Sequence, residues 1–202
     1  MNNALKVQAI ISSDPIRWRL LDIVRSMRLP DCWIGAGFVR NTVWDNLHGR
    51  TASPLSGDVD VLWFDRTRTD PSKDRQIEAA LRTMDPSVEW SVKNQARMHV
   101  RNGDAPYASA TDAMRYWPET ATAVAVRRND RDHCEIAAPL GLDDLFGLIV
   151  RPTHASPTTS ASSTTIVFGR RDGWKLGRSC APPRSAPNTG VQTETLPLLC
   201  IW

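Results

Sequence analysis

Cysteine is sparse and scattered. Cys32, Cys134, Cys180 and Cys200 form no CxxC pair, which excludes a thiolate zinc knuckle and a dense disulfide framework and leaves reduced thiols as the expectation. No apolar run approaches the ~18 unbroken residues of a spanning helix, and no cationic lead with a cleavable apolar stretch opens the chain, so a protein without membrane partners, in the cytoplasm, is expected. His48, His99, His133 and His154 show neither HExxH nor HxH spacing, the pattern of surface histidines rather than metal ligands. The GxSxG elbow of serine hydrolases and the GxxxxGK[ST] phosphate loop are also absent. An excess of one charge is missing from most of the chain as well. Residues 1–151 carry 20 Lys and Arg against 20 Asp and Glu, and the basic surplus of +3 sits in residues 152–202, with 5 against 2. A body so balanced has no basic stripe to release phosphate counterions, so binding to long DNA is not expected.

What is present reads as one sizeable domain with an extension. Apolar residues make up 41% of the 202-residue chain and charged residues 23%, enough for one core. Asp14-Pro15 is a helix start, a capping carboxylate before a proline whose missing N–H costs nothing there. Ile16, Leu20, Ile23, Val24 and Met27 follow at helical spacing up to Leu29-Pro30. Cys32-Trp33-Ile34 predicts a short strand, Gly35-Ala36-Gly37 a turn, and Phe38 to Leu47 a helix stopped at Gly49. After a polar loop with Pro54 and Gly57, residues Asp58 to Phe64 have the β-branched and aromatic content of a strand, whose period of two sets Asp58 and Asp60 on one face. A charged helix burying Ile77, Ala80, Leu81 and Met84 leads to a strand over Val88–Val92. Thr122–Arg127 and Cys134–Ala137 predict a hairpin, and Leu142–Val150 a last apolar helix.

Alternating strands and helices predict an α+β fold, a mixed sheet with packed helices, over residues 1–151. From Pro152 on, Pro, Ser and Thr supply 20 of 51 residues. Such a stretch buries too little apolar surface to offset its ordering entropy, so residues 152–202 are expected to form a flexible tail, or an aberrant one produced by a shifted reading frame.

The chemistry is carried by two features. Paired carboxylates at i and i+2 lie close enough to share divalent cations, as magnesium-assisted phosphoryl chemistry requires. Taken alone, such a pair is more often two solvated side chains. Upstream, Gly35 and Gly37 sit where a strand meets a helix, and the backbone N–H groups there, with the helix dipole, suit a phosphate. Arg40 and Asn41 follow in the first turns, where a guanidinium suits phosphate oxygens.

The run WIGAGFVRNTVWDNLHG followed by GDVDVLWFD resembles the signature of the polymerase-β-type nucleotidyltransferase superfamily, and in pattern is similar to the GGxVRD segment of tRNA CCA-adding enzymes. WSVKNQARMH, PYASATDAMRYWPETATAVAVR and APLGLDDLFGLIVRPT extend the likeness, over residues 15–153, to a bacterial family of small nucleotidyltransferase-like proteins. The resemblance implies the nucleotidyltransferase fold and transfer of a nucleoside monophosphate from an NTP to an acceptor, be it a small molecule, RNA or protein. It implies that Asp58 and Asp60 ligate two Mg2+ ions, that Gly35 and Gly37 turn against the triphosphate, and that Arg40 and Asn41 lie on the nucleotide side. Glu89 is the nearest fit to the third carboxylate many members add. Lys93, Asn94, Gln95 and Arg97 form a polar cluster that suits either nucleotide contacts or a helix start. Ala36 and Asn41 depart from the CCA-adding pattern, replacing a Gly and an Asp. A binding module that has lost its chemistry is the rival reading. A HAD-type phosphatase would need Thr or Val in place of Leu62, and a metal-dependent glycosyltransferase would leave the glycine turn unexplained.

Overall fold

The computed structural model describes residues 2–50, 55 and 57–153, together with the backbone of two short strands at 166–167 and 177–178. The chain opens with a helix that the sequence pattern did not reveal, α1 (Asn3–Ser12), capped by the Asn2 side chain and burying Val7 and Ile11. Helix α2 (Pro15–Ser26) starts as expected. One oxygen of Asp14 accepts from the N–H groups of Ile16 and Arg17, and proline opens the first turn. Leu20, Leu21 and Val24 are its core face, whereas Ile16 is half exposed and stands off the stripe. The strand β1 (Trp33–Gly35) runs into α3 (Gly37–Leu47), and β2 (Val59–Trp63) into α4 (Pro71–Met84). On α4, Leu81 is buried, but Met84 is 51% exposed because it lies at the last position of the helix, beyond the sheet. Strand β3 (Trp90–Asn94) sits two residues later than expected.

After β3 come the short helices α5 (Met98–Asn102) and α6 (Ala110–Ala113), a 3-10 turn at Thr120–Thr122, and the hairpin β4 (Ala125–Arg128) and β5 (Cys134–Ala137). The last apolar helix is shorter than the periodicity predicts. Helix α7 spans Asp143–Gly147 only, because Leu148 takes a left-handed conformation (φ 57) that ends it, and Ile149–Val150 become the strand β6. Strand β6 pairs with β7 (Ile166–Val167), which pairs with β8 (Gly177–Arg178). The expectation for the tail falls, from residue 154 on and apart from these two strands, outside the described residues.

The main sheet has the order β3-β2-β1-β4-β5, parallel between β2 and β3 and antiparallel elsewhere, as a mixed α+β fold requires. Its two faces bury different clusters. Val59, Val61 and Trp63 of β2 turn toward α1, α2, α3 and α4 with Ile34, Val92 and Val126, each contributing roughly 1.5–3 kcal/mol by burial. Leu62 turns to the other face, with Trp33, Ala110, Met114 and Trp117. The alternation leaves Asp60 on the same side as Leu62. Among the described residues no helix is long and apolar enough to cross a membrane.

Candidate active site

Strand order sets the site. Because β2 lies between β1 and β3, residues at its start are flanked on both sides. Ile34 of β1 pairs with Val61, so the next step along each strand brings Gly35 beside Asp60. On the other side Asp60 pairs with Ser91, and in a parallel pair both side chains leave the sheet in one direction. Asp60 is therefore buried, at 8% exposure, and is not the solvent-facing side chain that a strand read in isolation suggests. Burial and, next, the charge of Asp58 push its carboxyl up to about 7, against a hydrogen bond from Ser91 and the ammonium of Lys93. The charge of Asp58 thus acts on Asp60.

The glycine turn lies against the same corner. Asp58 shares one small pocket with Gly37, Phe38 and Asn41 of α3, with Gly57, and with Arg17 of α2. At Gly35 an added Cβ would stand 3.0 Å from Leu62 Cδ1, 3.1 Å from Trp117 Cη2 and 3.2 Å from the Val124 carbonyl oxygen, so glycine is required by packing. At Gly37 the nearest atom among the described residues is Asn41 Nδ2 at 3.6 Å, so none of them closes the start of α3 there. Among the described residues no side chain caps this helix, whose capping position is Ala36 at φ 53, ψ −125. An uncapped N-terminus keeps its dipole and N–H groups directed at the pocket.

The remaining predicted residues divide. Asn41 lines the pocket. Arg40 is turned to Glu119, with Nη1 3.5 Å from the carboxylate, and stacks 5.2 Å from the Trp44 ring centroid, while its Nε–H donates to Asn41 Oδ1 at 3.1 Å. Glu89 precedes β3 and is exposed, its carbonyl accepting from Val59 N–H at 2.8 Å. Among the described residues no three His, Cys, Asp or Glu side chains come together as a metal cage, so Glu89 does not complete a preformed triad with Asp58 and Asp60. The donor set of the pair itself nonetheless fits a divalent cation, since the repulsion between two neighbouring carboxylates is relieved when such an ion is bound.

Of the polar cluster at the end of β3, Lys93 acts on Asp60, whereas Asn94 and Arg97 are tied into the fold. Asn94, 1% exposed, caps a second 3-10 turn, Gln95–Arg97, at Ala96 N–H and donates to the carbonyls of Asp65 and Arg68. Asp74 accepts from Trp63 Nε1 at 2.8 Å, from Asn94 N–H at 3.1 Å and from Arg97. Arg17 is the residue sequence reasoning missed. It is 3% exposed, is ion-paired with Asp14 at 2.5 Å, and lies 5.9 Å from the Phe38 ring centroid. The signal was available, because Arg17 occupies the apolar stripe of α2 with Leu20, Leu21 and Val24, where a buried charge needs a reason.

Residues 22–171 match the protein family described as Nucleotidyltransferase. A structure solved by NMR and described as a CCA-adding enzyme head domain is similar to this chain at 34% identity and a TM-score of 0.67, covering 75% of this chain and 79% of its own. No curated protein sequence matches.

Proposed function

Because this chain belongs to the nucleotidyltransferase family, we propose that it transfers a nucleoside monophosphate from an NTP to an acceptor hydroxyl or phosphate, with Asp58 and Asp60 as ligands of two Mg2+ ions. The observation that supports this reading best is the meeting of the acidic pair with the open start of α3 in one corner of the sheet. Held by Asp58 and Asp60, the ions would supply positive charge that offsets the negative charge developing in phosphoryl transfer. The chain's own residues supply the rest. Gly35 lets the turn pack against Leu62, Trp117 and the Val124 carbonyl, Gly37 lets the backbone approach the triphosphate, Arg40 and Asn41 lie on its phosphate side, and Ser91 steadies Asp60 from the neighbouring strand. The exposed Glu89 serves as third acid by turning toward the pair, its carbonyl already accepting from the N–H of Val59 between them. The acceptor is a small molecule, RNA or protein, and the setting is cytoplasmic.

The test is Mg2+-dependent pyrophosphate release from each of the four NTPs, with a cell extract as acceptor source. Asp60→Ala is expected to lower turnover by more than about a hundredfold, beyond what loss of a supporting residue costs. Unchanged Mg2+-dependent turnover in that variant rules the mechanism out.

A nucleotide- or RNA-binding module without chemistry is the second reading. It is favoured by one observation, the lack of a third acidic side chain drawn up to the pair among the described residues. Saturable NTP binding with no pyrophosphate release decides for it.

A further inference from the structure

Asp60 has a different neighbour on each side. Gly35 of β1 lies on one, and with it the glycine turn and the start of α3. On the other lies β3, where Asp60 pairs with Ser91 and Leu62 with Lys93 in parallel register. Trp90 and Val92 turn into the core with Val61, so Ser91 and Lys93 leave the sheet on the face of Asp60. The flank of the acidic pair away from the glycine turn therefore carries a half-buried hydroxyl and then an ammonium.

Lys93 is not a solvated surface charge. Its side chain is 26% exposed, and its ammonium donates to Glu78 Oε1 at 3.3 Å and to the Val92 carbonyl at 3.1 Å. Glu78 is held in turn, because the same oxygen accepts from Val92 N–H at 2.9 Å. An ammonium has three donors. Among the described residues two are taken, both at the edge of β3, and the charge still reaches Asp60, whose carboxyl it pulls down against burial. A cation held this near opposes divalent ions at the corner unless an anion joins them.

In phosphoryl transfer the attacking and leaving oxygens lie roughly in line on opposite sides of the phosphorus. With the triphosphate at the glycine turn, the acceptor comes from the side of β3. Its hydroxyl oxygen forms the bond to the α-phosphorus and gives its proton to solvent, while the bond to pyrophosphate breaks. Lys93 makes no bond in that step. We propose that Lys93 binds a phosphate group carried by the acceptor beside its attacking hydroxyl, so that the acceptor is a phosphate-bearing alcohol and not an uncharged one. The inference rests on the nucleotidyltransferase reading for the direction of approach, and it narrows the acceptor that reading leaves open.

The test uses the full chain with Mg2+ and a nucleoside α,β-methylene triphosphate, which fills the triphosphate side without being cleaved. Glycerol phosphate, glycerol and a short RNA with a free terminal hydroxyl are titrated into that complex by calorimetry. At least one of the two phosphate-bearing probes is expected to bind, and glycerol is not. Lys93→Met keeps the stem without the charge and is expected to weaken that binding by at least about tenfold, with Lys93→Arg restoring most of it and the affinity for the triphosphate analogue staying within about threefold. The probe that loses most names the source of the phosphate, a small alcohol or a nucleic-acid end. Glu78→Gln breaks the same ion pair but keeps an acceptor for Val92 N–H, so it is expected to bind the probe at least as tightly as wild type. If Lys93 only ties α4 to β3, Lys93→Met and Glu78→Gln weaken binding alike, and that result overturns the proposal. Equal binding in wild type and Lys93→Met, or binding of neither phosphate-bearing probe to the wild-type complex, overturns it too. A wild type that does not bind the triphosphate analogue defeats the nucleotidyltransferase reading itself, and the acceptor proposal with it.

Discussion

Asp58 stands close enough to Asp60 to raise the proton affinity of its buried neighbour, adding to what burial alone does. The folded chain therefore holds this proton more tightly than the unfolded chain. Stability tied to Asp60 is whole below its ordinary value of 3.8, declines as pH climbs toward about 7, and stays reduced above that. Asp60→Asn removes the buried charge while keeping the shape. In chelator, the variant is expected to be more stable than wild type at pH 8 by on the order of a few kcal/mol, with the difference vanishing near pH 4. Thermal melts across pH check this, and parallel profiles for the two proteins contradict it.

A divalent cation at the pair competes with that same proton. MgCl2 is thus expected to raise the melting temperature more at pH 8 than at pH 5.5, by mass action on the folded state. Asp58→Asn and Asp60→Asn should each remove the increment. An increment of equal size in either variant would place the ion elsewhere.

Much of this corner was legible in the sequence, and the reasons differ residue by residue. The period of two in Asp58-Val59-Asp60-Val61 sets both acids on one face whatever surrounds them, and Asp14-Pro15 fixes a helix start by local bonds. The burial of Asp60 was not legible, because it follows from β1 and β3 flanking β2, a matter of strand order that no local pattern encodes. Arg40 shows the same limit. Its helical position is local, but its partner Glu119 comes from a turn far along the chain. The overestimate of the last helix has a different origin, since apolar residues continue through Leu142–Val150 while the backbone turns left-handed at Leu148.

Asp85 ties three elements together and should titrate in the opposite sense to Asp60. It follows α4, accepts from Ser87 N–H at 3.1 Å and Ser87 Oγ at 2.6 Å, and is ion-paired with Arg19 of α2, while its carbonyl accepts from Trp90 Nε1 at 3.2 Å. The Ser87 hydroxyl, with Arg19 and the Ser87 N–H, holds its carboxyl below the ordinary range against burial. Its contribution is then present at neutral pH and lost as pH falls through the depressed value. Asp85→Ala is expected to cost about 1–3 kcal/mol at pH 7, with the gap to wild type narrowing in acid. Chemical denaturation at several pH values measures it, and a gap that widens in acid refutes the assignment.

The glycine turn separates two substitutions that look alike on paper. At Gly35 a methyl group would meet Leu62, the Trp117 ring and the Val124 carbonyl at 3.0–3.2 Å. Side chains can yield a little, but the carbonyl belongs to the segment entering β4 and accepts from Ala36 N–H at 3.0 Å, so it cannot. Gly35→Ala is therefore expected to destabilise by about 1–3 kcal/mol. At the next position the strain is already present, because Ala36 holds φ 53, ψ −125, a conformation suited to glycine. Relief of roughly 1–3 kcal/mol in Ala36→Gly is opposed by the lost burial of one methyl, about 0.8 kcal/mol, and by glycine's extra chain entropy, about 0.5–1 kcal/mol. The balance for Ala36→Gly runs from about 0.8 kcal/mol less stable to about 1.7 kcal/mol more stable than wild type, short of the loss expected at its neighbour. Equilibrium unfolding of the two variants side by side tests the turn, and a Gly35→Ala protein as stable as wild type would mean that the sheet around Asp60 yields where the packing says it cannot.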